Sequence, residues 1–167
     1  VAALIGQTID PGGELSASYT LTHTEAGVYD NVAVVEVMDN EESTDSDTDD
    51  ESVTVTDVAP DVEIDKTVDV SSLPEPGGDF TFTLTISNAG VEPFTITSLT
   101  DTNLTEPYPA EVAALIGQTI DPGGELSASY TITHTEAGVY DNVAVVEVVD
   151  NEQSTDTDTD DESVRVE

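Results

Sequence analysis

Residues 1–56 recur as residues 112–167 at an offset of 111, and 50 of the 56 aligned pairs are identical. The six exceptions are Leu21/Ile132, Met38/Val149, Glu42/Gln153, Ser46/Thr157, Thr54/Arg165 and Thr56/Glu167. A repeat at fixed period means that one folding unit is written more than once, so a fold proposed for one copy must serve the other. Residues 57–111 occur once, and the chain therefore carries one and a half copies of a 111-residue unit. That is the arrangement expected of a window on a longer tandem array. The stretch from Thr56 to Asp61 reads as a linker, being short and containing Pro60, which cannot donate to a sheet ladder. This phasing makes 1–56 the C-terminal half of one repeat, to be completed by an upstream repeat or another subunit. Residues 57–61 are then the linker and 62–167 a complete repeat. The other phasing, 1–111 as one unit followed by half of the next, stays open.

Within the unit the apolar residues alternate with period two, the mark of half-buried strands. Val62, Ile64, Lys66 and Val68 share one face. Phe80, Phe82, Leu84 and Ile86 point one way, and Thr81, Thr83 and Thr85 the other. Phe94 and Ile96 follow, then Leu126, Ala128, Tyr130, Ile132 and His134. Val139 to Val149 forms another strand, and Val164 and Val166 lie on the last. Pro-Gly-Gly at 76–78 and 122–124 and Asn88-Ala89-Gly90 supply turns, and a helical turn fits Ala110 to Ile116. About seven strands in such a unit predict an all-β, two-sheet, Ig-like Greek-key sandwich. The strand from Asp141 to Val149 is apolar on both faces, with Ala144, Val146 and Val148 on one and Val143, Val145 and Val149 on the other. It fits either a central strand covered by threonines or a surface that packs on a neighbouring subunit.

Charge removes several functions. There are 37 Asp plus Glu against 2 Lys plus Arg, a net charge of −35, and only Lys66 and Arg165 are basic. Phosphate binding needs a basic face, so nucleic acid is excluded as a partner. No apolar run approaches the length of a membrane span, and the first residues do not read as a signal peptide. With no cysteine there is neither a disulfide framework nor a thiolate zinc site. The hydrophobic content of 37% still suffices for a core.

Several segments in fixed order carry a family pattern. These are Ile64-Asp-Lys-Thr67, Phe80-Thr-Phe-Thr-Leu-Thr-Ile-Ser-Asn88 and Ile96-Thr-Ser-Leu-Thr-Asp101, followed by Ile120-Asp-Pro-Gly-Gly-Glu-Leu126, Ala137-Gly-Val-Tyr-Asp-Asn142 and the acidic run from Thr155 to Val164. The set resembles the conserved-repeat-domain family of Ig-like sandwiches, the domain of unknown function numbered eleven in its series. The resemblance spans 61–167 and the half unit 1–56. It implies tandem arrays in bacterial and archaeal surface and secreted proteins, with adhesive or structural roles and no catalytic residues.

Candidate chemistry is sparse. His23 and His134 occupy one repeat position, and no nucleophile motif accompanies them. The run from Asp39 to Glu51 holds eight acids in 13 residues, and its copy from Asp150 to Glu162 holds seven. Calcium takes about six to eight hard oxygen ligands. Asp156, Asp158, Asp160, Asp161 and Glu162 are candidates, with Asp45, Asp47, Asp49, Asp50 and Glu51 in the other copy. On a strand, alternate carboxylates stand about 7 Å apart, so a shared ion requires a bend or further ligands such as Asp57, Asp61 or Asp101. The competing reading is a solvated acidic edge that blocks sheet-to-sheet pairing. Lys66 is in phase with the core face of its strand, and Asn142 is in phase with Tyr140 and Ala144. Some surface Ig-like domains join a Lys and an Asn in an isopeptide bond assisted by a buried acid, and this pair fits that chemistry. A lysine that snorkels to water and meets an acid fits the same positions. Asn103-Leu-Thr105 is a glycosylation sequon.

The sequence thus predicts a non-enzymatic structural repeat of an extracellular fibre or cell-surface adhesin, with itself as partner and calcium as the candidate ion. The alternative is a ligand-binding adhesin module that grips a glycan or protein through its loops. Tyr108 is the one loop aromatic available for that role.

Overall fold

The computed structural model describes residues 2–167. The chain divides into two compact units, Val1–Asp57 and Val58–Glu167.

In the second unit the alternating segments form two sheets. One is three-stranded, in the order β3 (Val62–Val68), β5 (Gly78–Asn88), β8 (Glu125–His134). The other is five-stranded, in the order β4 (Ser72–Leu73), β10 (Thr155–Val166), β9 (Gly138–Val149), β6 (Phe94–Asp101), β7 (Thr119–Ile120). A short helix α1 (Ala110–Ala113) begins the segment where a helical turn is expected. The architecture is all-β and sandwich-like: one core cluster takes Phe80, Phe82, Leu84 and Ile86 from the first sheet and Ile96, Ala144, Val146 and Val148 from the second. Each large side chain buried there contributes about 1.5–3 kcal/mol, so the core lies where the period-two pattern places it. The threonines between them face outward and pair across strands, as in Thr83 with Ser129 at 2.8 Å.

The doubly apolar strand is β9, and it is central. Its Val145 lies opposite Thr159 on β10 and Thr100 on β6, and its Val149 opposite Thr155 and Thr95. Both valines are half-buried among these neighbours, as the covered-strand reading expects. Near the start of the second unit Pro60 is buried, and the Asp61 carbonyl accepts the Ala89 amide at 2.9 Å.

One turn is sterically exact in its demand. Gly77 has φ of +74°, and a Cβ there would stand 2.0 Å from the His134 carbonyl oxygen. Replacing Gly77 by Ala adds a left-handed backbone penalty to a backbone clash. The expected cost exceeds ~1 kcal/mol, read as a fall in the thermal midpoint of residues 58–167.

The first unit has the same sequence as the second half of the second unit but a different environment. β1 (Gly27–Met38) and β2 (Thr44–Val55) form an antiparallel hairpin, in register from Gly27 opposite Val55 to Met38 opposite Thr44. This matches β9 and β10 pair for pair. Residues 14–23, however, form no strand, although nine of the ten match β8. The difference is the partner. β8 pairs with β5 along its whole length, and among the described residues of the first unit no strand corresponds to β5. The apolar faces differ accordingly. Tyr19, Val35, Val37 and Val53 are 54%, 53%, 52% and 55% exposed, against 4%, 0%, 0% and 1% for Tyr130, Val146, Val148 and Val164.

Candidate functional site

Four polar side chains enter the sandwich interior, three of them by strand phase. Lys66 follows Val62 and Ile64 on the inner face of β3 and is itself buried, so the snorkelling reading is corrected. Its Nζ lies 2.5 Å from Asp101 Oδ2 at the end of β6, and the two side chains are 0% and 1% exposed. Tyr130, inward on β8, donates its hydroxyl hydrogen to the same Asp101 oxygen. Asn142, inward on β9 and 0% exposed, donates from Nδ2 to the Tyr130 hydroxyl at 2.9 Å. Thr102, next along the chain from Asp101, donates to Asn142 Oδ1 at 3.3 Å and accepts the Val143 amide at 2.9 Å. The second Asp101 oxygen accepts the Asn103 amide at 3.0 Å.

The walls of this site are aromatic, with Nζ 5.4 Å from the Phe82 ring centre and 6.0 Å from that of Tyr130. Burial pushes the Lys66 ammonium below its ordinary pKa, opposed by the hydrogen bond and charge of Asp101 and by the more distant Asp160 and Asp161. Burial also pushes the Tyr130 hydroxyl up, reinforced by Asp101, so it stays protonated. The arrangement thus holds an amine that burial drives toward neutrality, a carboxylate on its nitrogen and a polarised carboxamide. All of them are sealed from solvent.

The acidic candidates are placed differently. Asp156, Asp158 and Asp160 share the inward parity of Val164 and Val166 on β10. Their Oδ2 atoms accept the backbone amides of Val62, Ile64 and Lys66 at 2.9, 2.8 and 2.7 Å. These amides lie on the free edge of β3, the side not paired with β5. The carboxylates therefore bridge the two sheets with a ladder of charge-assisted hydrogen bonds, satisfying donors that would otherwise stand open. The solvated-edge reading is corrected for these three residues, which are half-buried. Asp161 is exposed and Glu162 half-buried. In the first unit, where no such edge exists, Asp45 and Asp47 instead accept the next residue's amide, Ser46 and Thr48, at 2.9 Å each. Asp49, Asp50 and Glu51 are exposed on β2. Among the described residues, none of these ten belongs to a group of three acids with ligand atoms within 4.8 Å of one another. If the ladder rather than an ion uses these carboxylates, melting in calcium and in chelator should coincide at matched ionic strength. A bound ion at a hundredfold excess over its Kd would add about 2.7 kcal/mol, a separation a melting curve resolves.

His134 stacks on Tyr140 with ring centres 3.7 Å apart and planes at 14°, and burial lowers its pKa. His23 and Tyr29 repeat the stack at 3.7 Å and 19°. Asn103 of the sequon donates to the Asp141 carbonyl at 3.1 Å. No helix among the described residues is long and apolar enough to cross a membrane.

Sequence reasoning found Lys66 and Asn142 but not their alliance with Asp101 and Tyr130. Tyr130 had a signal in its inward parity. Asp101 had none, because a register shift in β6 between Ile96 and Ser98 breaks the phase leading to it. Compared with known proteins, the sequence matches no family model and no curated protein.

Proposed function

We propose that the chain is a non-enzymatic structural repeat of an extracellular fibre or cell-surface adhesin, built of Ig-like Greek-key sandwiches in linear succession. Its work is spacing, cohesion and self-assembly. The observation that carries this reading is the recurrence of 50 of 56 residues at an offset of 111, in a chain whose second unit folds the repeated sequence into a sandwich with a core of its own. A folding unit written more than once in one chain is the organisation of a tandem array, in which sandwiches follow one another along a fibre.

The resemblance to the conserved-repeat-domain family supports a surface location. The net charge of −35 suits a long solvated exterior polymer that must not collapse onto itself. The Lys66 cluster supports a non-enzymatic role, since a site closed to solvent offers no substrate a way in. Tyr108, the loop aromatic of the ligand-gripping alternative, is half-buried. Electron microscopy of the native material tests the proposal. Fibres, sheaths or linear stalks are expected, and dispersed single globules would refute it.

A further inference from the structure

We propose that Lys66 and Asn142 condense to an intramolecular amide, a covalent cross-link between β3 and β9 made by the folded domain itself with Asp101 as its proton carrier. Three observations carry this inference. The reactive groups sit on facing sheets, and β3 and β9 are far apart in sequence, so only folding brings them together. Lys66 Nζ lies 2.5 Å from Asp101 Oδ2, and Asn142 Nδ2 reaches the same oxygen through one intervening hydroxyl, that of Tyr130. Finally, Lys66, Asp101, Tyr130 and Asn142 are all buried, which strips the amine of water and strengthens the hydrogen bonds among them.

The step balances without any outside reagent. Asp101 takes a proton from Nζ, leaving the lone pair of the neutral amine free to attack Asn142 Cγ. The Thr102 hydroxyl, on Oδ1, stabilises the charge that develops on that oxygen. Asp101 returns that proton to Nδ2 by way of the Tyr130 hydroxyl and then takes a second proton from the attacking nitrogen. The Cγ–Nδ2 bond breaks, and ammonia leaves carrying the second proton as ammonium. One C–N bond has formed, one has broken, and nothing is oxidised or reduced. Asp101 and Tyr130 end as they began. Holding amine and carboxamide in one dry site replaces a slow encounter with an oriented one.

The first unit provides an internal control. Its Asn31, the counterpart of Asn142, donates to Tyr19 at 2.7 Å just as Asn142 does to Tyr130, yet the site is exposed. Lys66 is the only lysine in the chain, so one ammonia is the most the reaction can release. The inference stands on the second unit alone, whether or not the repeats form fibres.

Intact mass of the full 1–167 chain tests it. A deficit of one ammonia is expected, and proteolysis should yield a branched peptide joining Lys66 to Asn142. After denaturation an amine reagent should label only the α-amino group. Deamidation is distinguishable, because it replaces ammonia by water and leaves Lys66 reactive. Asp101→Asn keeps the side-chain shape and should restore the full mass in a chain that circular dichroism still shows as β-structured. Should that variant fail to fold, Asn142→Ala gives the same reading. A folded wild-type chain at full calculated mass, with Lys66 labelled after denaturation, would overturn the proposal.

Discussion

Asp101→Asn is expected to lower the thermal midpoint of residues 58–167 by on the order of 20 °C. An amide between Lys66 and Asn142 closes a loop of about 77 residues, and the chain-entropy treatment of cross-links assigns such a loop about 4.5 kcal/mol. A domain of this size loses about 4–8 °C per kcal/mol. The carboxamide also leaves the Lys66 amine without its acceptor. One further variant separates the two effects. Replacing Lys66 by Met and Asp101 by Leu together removes both charged groups and fills the space with apolar atoms, a change that is often neutral or stabilising for a buried pair. It cannot form the amide. If the cross-link is the main source of stability, this double variant should melt well below wild type, by about the loop-closure amount. If it melts with wild type, the stabilisation belonged to packing.

Severing the chain between the units should produce two unlike fragments. Residues 58–167 are expected to fold, because their core is complete. Residues 1–57 are expected to lack cooperative melting and to exchange their amides freely. A two-stranded hairpin is marginal by itself. The exposed Tyr19, Val35, Val37 and Val53 each forgo about 1.5–3 kcal/mol of burial, a sum comparable to the whole stability of a small domain. Circular dichroism melts of the two fragments check this. A sharp transition in 1–57 would show that its face is not incomplete after all.

The strands of the sandwich were legible because one face of each is buried, and burial on one face enforces period two. That logic placed Phe80–Ile86 and Leu126–His134 correctly and gave Lys66 its inward direction. It failed where structure depends on a partner. Residues 14–23 carry the pattern of β8 but adopt no strand, since a strand is a paired object and among the described residues of the first unit no strand corresponds to β5. The acidic run misled in another way. Its charge drew attention to ions, while its phase told more: Asp156, Asp158 and Asp160 share parity with the buried Val164 and Val166, so they face inward toward an edge that needs acceptors. Asp101 was out of reach of sequence reasoning. An acid among 37 is anonymous until a neighbouring strand brings a lysine to it.

The most direct test of the account extends the chain so that a second copy of residues 58–111 precedes Val1. The new junction then repeats the native one, since Val1 occupies the repeat position of Val112. Hydrogen exchange read by mass spectrometry on the segment Glu14 to His23 is the deciding measurement. The expected result is protection matching that of Glu125 to His134 in the same molecule, a strand formed because its partner is present. Exchange in that segment as fast as in the 1–167 chain would contradict the account, because the open face would then have a complement of the right sequence and still not accept it.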